Sequence, residues 1–363
     1  GQWLRLGIVG FGGPPAHIAL IRYLVVTRRG WLCATEFEDA IAACNLLPGP
    51  ASTQLAIFCA YRLGGTPGAL VGGLGFIVPS VAAVIALSIL FLAGSPPHWV
   101  RGAGAGAGAA VAAVALKAGA SLVPASIERA KGARWLGYAA LGASVSALAG
   151  SYVVLVLLAC GLVEVAVRSR SSAVFSSLAI PGAVKASGLG ALCWTAVKVG
   201  ALSFGGGFVI VPLMQGDAVH TYHWMSSSHF LNAVAIGQVT PGPVVATVAA
   251  VGYAAHGVGG AVLAATIAFM PSFTLVMLGA GRFTSLRQNA SAQAFLGGAG
   301  PAAIGAILGA AIPLALALRE WWQFVLLAAA LVAVLLARRG IVQTLLAAGA
   351  VGSLAALAGA PLP

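Results

Sequence analysis

The amino-acid sequence predicts an all-α polytopic membrane protein built from two related halves. Three observations carry this: a strongly apolar composition, charges confined to short clusters between apolar stretches of about 20 residues, and a set of motifs that recurs at one fixed spacing. Of 363 residues, 60% are hydrophobic and 7% charged, whereas a soluble domain carries about 25% charged residues. No water-facing surface can be made from that supply, so the bilayer is expected to surround the whole chain. The 49 glycines and 18 prolines fit this class, because membrane helices use small residues for close packing and proline for functional breaks.

The formal net charge of +12 comes from Lys and Arg scattered as loop pairs, a pattern explained by topogenic bias and not by a basic face for nucleic acid. Cys33, Cys44, Cys59, Cys160 and Cys193 show no CxxC spacing and lie mostly in apolar segments, so neither a disulfide framework nor a metal site is indicated. His220, His223 and His229 sit in an expected loop with no cysteine nearby, and are read as solvated. The first apolar stretch carries a patterned motif and is read as structural, not as a cleavable leader. Multi-pass placement in a bacterial inner membrane follows.

The repeat is explicit. Phe11-Gly12-Gly13 is matched by Phe204-Gly205-Gly206, Trp31 by Trp224, Phe37 by Phe230, and Pro48-Gly49-Pro50 by Pro241-Gly242-Pro243, all at an offset of 193. Arg5 pairs with Lys198 in the same register, and Pro79-Ser80 meets Pro271-Ser272 after a one-residue slip. Each half reads as segment A (3 to 25), a polar loop, B (39 to 62), C (67 to 93), D (102 to 124), E (135 to 149) and F (151 to 167), repeated in the second half. A serine-rich linker, about 168–187, carrying Arg168, Arg170 and Lys185, separates an N-terminal repeat, 1–180, from a C-terminal repeat, 181–363.

Basic residues set the expected orientation. Arg28/Arg29, Arg129/Lys131/Arg134, Arg168/Arg170, Arg282/Arg287 and Arg338/Arg339 are assigned to the cytoplasm. The counterpart of the Arg28/Arg29 loop, residues 217 to 229, has no Lys or Arg and is assigned to the opposite side, so the halves are expected to be inverted. That closes only if B enters and leaves on one side as a broken hairpin, leaving five crossings per half. Pro-Gly-Pro at the centre of B supplies the break, because proline removes an amide donor and forces the preceding residue out of helix.

Non-helical backbone at membrane depth persists only when buried in protein or lining a wet cavity, so the breaks locate the expected site. Beyond Pro50 the chain resumes as Ala51-Ser52-Thr53-Gln54, offering free amides and hydroxyls at a helix N-terminus, a natural anion site. The mirror break, Gln238 to Pro243 followed by Thr247, offers the same from the other half, as inverted-repeat transporters do around one site. The Phe-Gly-Gly breaks, with Pro14-Pro15 and Gly207 after them, add a second pair of openings. Gly102, Gly104, Gly106 and Gly108 in D are read as packing positions. Lys198 and Lys117, within apolar runs, are costly there and suit attraction of an anion, with Arg5 and Arg22 as further charges at segment ends. Asn45 faces Gln238 and Ser52 faces Val245 across the repeat, so the two linings are unequal.

FGGP with FGGG, then W, F and LPGP/TPGP at fixed intervals, twice in one chain, resembles the two-domain, long-chain form of the chromate ion transporter family. The likeness covers nearly the whole chain. It implies export of chromate from the bacterial cytoplasm, with sulfate as a structural mimic, and puts functional weight on Arg5, Gly12, Gly13, Pro48, Gly49, Pro50, Lys198, Gly205, Gly206, Pro241, Gly242 and Pro243. Gly207 where the first half has Pro14 is a departure. No GxxxxGK[ST] run is present, so transport is expected to be secondary, with no cofactor. No nucleophile and base pair at membrane depth, so an enzyme is not expected. A channel, or carriage of another small anion such as sulfate, is the alternative. A homodimer is left open.

Overall fold

A computed structural model describes residues 1–45, 47–92, 94, 96–129, 132–169, 188–203, 207–279 and 289–363, and every regular element within them is helical. The boundary expected near 180 lies outside the described residues, as do Arg170, Lys185, Gly205 and Gly206.

Segment A is broken where its glycines fall. α1 (Gln2–Val9) ends at Gly10, and α2 (Gly13–Arg22) starts after Gly12 with prolines in its first turn, where a missing amide would have no helical partner anyway. α2 widens into a π-helical turn, Tyr23–Arg28. Next, α3 (Ala34–Cys44) leads into Pro-Gly-Pro and α4 (Ala51–Leu92) leaves it. α4 is not one rod: Gly64 and Gly65 have non-helical dihedrals, and beyond them Gly72 packs on Ala60 and Gly73 on Ile57, so 51–63 and 66–92 are antiparallel neighbours. Arg62, at the end of the short arm, lies 2.6 Å from Glu36 in the first turn of α3. Both ends of the α3–Pro-Gly-Pro–α4 unit are therefore together, which makes it a broken hairpin.

α5 (His98–Arg129), α6 (Ala133–Leu148) and α7 (Val153–Ser169) complete the half. The second half repeats the plan as α8 (Leu189–Leu202), α9 (Ile210–Gln215) with a π turn Gly216–Thr221, α10 (Ser227–Val239), a short 3-10 turn Val244–Thr247 into α11 (Val248–Gly279), α12 (Ala290–Leu316), α13 (Trp321–Leu331) and α14 (Ile341–Leu357). The π turns begin at Tyr23 and Gly216 and the helices leaving Pro-Gly-Pro at Ala51 and Val244, both pairs in the 193 register. The reversal within α11 is at His256 and Gly257, one residue earlier than that register. Among the described residues five helices are long and apolar enough to cross a membrane: Ala51–Leu92, His98–Glu128, Gly150–Arg168, Val244–Gly279 and Ala290–Leu316.

Packing is by small residues and is exchanged between halves. Gly102 touches Gly352 and Ala356, and Gly106 touches Ala348 and Gly352, so α5 and α14 run antiparallel with backbones in contact. Gly104 and Gly108 instead face Asn232 and Leu231 of α10. On the other side, Gly298 of α12 meets Cys160 and Glu164 of α7, while Gly142, Gly305 and Gly309 seat α6 against α12. Gln323 Nε2 of α13 donates to the Ala105 carbonyl of α5 at 3.1 Å. α5 and α12 are thus each clasped by the last two helices of the opposite half. Without a hydrophobic force between helices in lipid, such close approach of glycine and alanine backbones is what holds them.

Candidate functional site

The two Pro-Gly-Pro loops cross at the centre, each seated in the opposite half. At Gly49 φ is 116° and at Gly242 101°, a region that a side chain makes costly and glycine does not. A methyl on Gly49 would come within 3.3 Å of the Gly200 carbonyl oxygen and the Ser272 hydroxyl, and one on Gly242 within 3.0 Å of the Ser80 hydroxyl and 3.7 Å of the Gly7 carbonyl. The Gly242 amide donates to the Gly10 carbonyl at 2.7 Å, tying the second loop to the first half's broken helix. His17 Nε2 donates to the same carbonyl at 2.9 Å, and its Nδ1 lies 3.3 Å from Ser52 Oγ at the start of α4. Since a carbonyl only accepts, the proton sits on Nε2 and Nδ1 is left to accept from the Ser52 hydroxyl.

Beside this crossing lies a cavity of about 770 Å³. Its wall includes Gly12 and Gly13 from the first broken helix, Asn45 and Ala51 on either side of the first Pro-Gly-Pro, and Gln238, Thr240 and Gly242 from the second. Asn45 and Gln238, partners in the repeat, therefore face one space. The Gln238 Nε2 amide is buried without a hydrogen-bond partner among the described residues, a donor available to a ligand. α5 contributes Lys117 and Ser121, α7 contributes Arg168, and α12 contributes Gln293. Among the described residues, Lys117 and Arg168 are the cationic residues of this wall, and no carboxylate residue lines it. A void that presents two cations, amide donors and no acidic group attracts anions.

Other residues singled out from sequence lie elsewhere. Pro48, Pro50, Pro241 and Pro243 shape the loops, the Pro48 carbonyl accepting from Gln54 Nε2 at 2.6 Å. Thr53 and Gln54 are fully buried behind the wall, where Thr53 Oγ1 and Gln54 Oε1 have no hydrogen-bond partner among the described residues. Thr247 donates its hydroxyl to the Val244 carbonyl at 2.7 Å, and Gly207 packs on Val244. Lys198 does not line the cavity. Its ammonium is 2.5 Å from Asp217 Oδ2, itself bonded by Thr195 Oγ1 at 2.7 Å, so its charge is compensated inside the second half. Arg5 is exposed, and Arg22 pairs with Glu38 across solvent at 3.3 Å, an arrangement worth little. Sequence reasoning passed over His17, and it read Arg168 as a topology signal only. Glu164 and Arg168, one helical turn apart in an apolar segment, were the available sign.

The chain matches the chromate transporter family over residues 1–165 and again over 190–353, two regions that together cover most of it. The chain belongs to the chromate transporter family. It is similar to the chromate transport protein of Cupriavidus metallidurans, 33% identical over 96% of this chain and 90% of that protein. It is also similar to the chromate transport protein of Pseudomonas aeruginosa, 28% identical over 86% and 80%, and to an uncharacterised transporter of Methanocaldococcus jannaschii, 26% identical over 79% and 76%. No solved structure matches it. The relatives are transport proteins by name, consistent with a non-enzyme, and the apolar helices make this chromate transporter family member a multi-pass membrane protein. The double match means that the family's pattern occurs once in each half, the halves whose breaks meet at the cavity.

Proposed function

We propose that the protein is a secondary transporter that carries chromate out of the cytoplasm across a bacterial inner membrane, holding the anion in the cavity between the two Pro-Gly-Pro breaks. The observation that carries this reading is the convergence of both halves' breaks on one cationic void, lined by no carboxylate among the described residues. In this reading the repeats 1–180 and 181–363 are inverted. Gly73 lies against Phe273, eight residues from its own counterpart, which supports antiparallel long arms of α4 and α11. Arg134 and Arg168 meet through Glu164, which supports one cytoplasmic end for these basic positions, and in this reading the cavity opens at the Arg168 end.

Energetics agree with export. A negative interior expels each negative charge by about 2.3 kcal/mol per 100 mV, hence about 4.6 kcal/mol for a dianion. Reconstituted protein is expected to carry radiolabelled chromate, driven by an imposed potential, with saturation and with inhibition by excess sulfate. Flux that is unsaturable and fast identifies a channel, and chromate-independent sulfate flux identifies a sulfate carrier. Absence of any oxyanion flux overturns the reading.

A further inference from the structure

Arg168 stands at the mouth of the cavity with its side chain 44% exposed, yet it is held from behind. Its Nε donates to Glu164 Oε1 at 2.8 Å, while Glu164, 3% exposed, accepts from the Tyr138 hydroxyl at 3.0 Å and lies 3.6 Å from Arg134 Nη1. With the Nε edge occupied, the terminal Nη2 lies beside Gly297, a residue of the cavity wall, 3.2 Å from where a methyl there would sit. A guanidinium fixed on one edge presents the other as two parallel donors, the geometry that takes two oxygens of an oxyanion.

Burying a glutamate beside two arginines is expensive, and such pairs are weak evidence of stabilisation. The second half serves as an internal control. α7 begins at Val153 and α14 at Ile341, so Glu164 and Arg168 correspond to Gly352 and Ala356, and, continuing that register into the preceding helix, Arg134 and Tyr138 correspond to Trp322 and Leu326. The helix contact is the same in both: Gly298 meets Cys160 and Glu164, and its counterpart Gly106 meets Ala348 and Gly352. Packing of the last helix onto the opposite long helix is therefore achieved in the second half with no charge at all. What the first half gains from the network is an oriented cation at the cavity mouth.

We infer that Glu164 is a positioning residue that holds Arg168 so that the remaining edge of its guanidinium, unpartnered among the described residues, forms a first oxyanion-binding station at the cytoplasmic mouth of the cavity. The inference rests on the transport reading above, deepening it by assigning the capture step. In proteoliposomes with the cytoplasmic face outward, Arg168→Met is expected to raise KM for chromate about tenfold with Vmax within about twofold. Arg168→Lys, which keeps the charge and loses the fork, falls between. Glu164→Gln raises KM several-fold alone and adds nothing in the Arg168→Met background. Unchanged KM in Arg168→Met, or additive effects of the two substitutions, overturns the station. Should the wild type carry no chromate, the station is read from thermal unfolding in detergent. A sulfate-dependent rise in Tm that is lost in Arg168→Met and Glu164→Gln upholds it and leaves only the chromate reading to fall. An equal rise in all three proteins, or none in the wild type, overturns it.

Discussion

The broken helices α1/α2 and α8/α9 follow one plan and are secured in different ways. In the second half, Lys198 and Asp217, 14% and 5% exposed by side chain, close an ion pair between α8 and the π turn after α9. In the first half the same positions are Arg5 and Leu24, and Arg5 is exposed at the protein surface. Conversely, His17 bridges Gly10 and Ser52 where the second half has Ile210, and Lys117 and Arg168 of the first half correspond to Gly309 and Ala356. One half has its charge locked internally, and the other presents charge to the cavity. The shared backbone breaks create the space, and the unshared side chains give it a sign.

Breaking the lock should have the largest effect. Lys198→Met leaves Asp217 buried without its partner and is expected to destabilise by about 3–5 kcal/mol, whereas Arg5→Met changes stability by less than about 0.5 kcal/mol; thermal unfolding in detergent compares them. Equal effects would erase the contrast. Imposing first-half chemistry on the second half comes next. Gly352→Glu would drive a side chain into the Gly102 carbonyl and to 2.8 Å from the Gly106 Cα, separating α5 from α14 at about 3 kcal/mol, seen as loss of monodisperse protein on size exclusion.

The two Pro-Gly-Pro glycines sharpen the comparison at smaller scale. Both have positive φ, so either alanine costs about 1–2 kcal/mol. The neighbour nearest the new methyl at Gly49 is the Gln54 side-chain amide, 2.7 Å away, which can rotate aside at the cost of its hydrogen bond to the Pro48 carbonyl, but at Gly242 it is the Ser80 Cβ at the same distance, which moves only with the backbone of α4. Gly242→Ala should therefore be the more damaging in unfolding and in flux. Smallest is His17→Ile, which installs the second half's residue and removes two side-chain hydrogen bonds, about 1 kcal/mol in stability, with slower chromate flux if the Gly10–His17–Ser52 link positions the break.

Much of this was legible in the chain. Apolar content, the 193 offset and the proline and glycine breaks depend only on local chemistry, because a residue without an amide donor interrupts a helix wherever it is placed. They fixed the membrane class, the two halves and the break at each Pro-Gly-Pro, and they drew attention to Gly12, Gly13, Asn45, Gln238 and Gly242, which line the cavity. Spatial pairing was not legible. Lys198 and Asp217 are both explicable alone, and their meeting depends on how α8 approaches the turn after α9. Glu164 and Arg168 are one turn apart in sequence, but that Arg168 reaches the cavity, with Glu164 behind it, follows from α7 packing on α12 of the opposite half. The exchange of terminal helices was settled only in three dimensions, since glycine-rich faces fit many partners about equally well and only the assembled bundle selects among them.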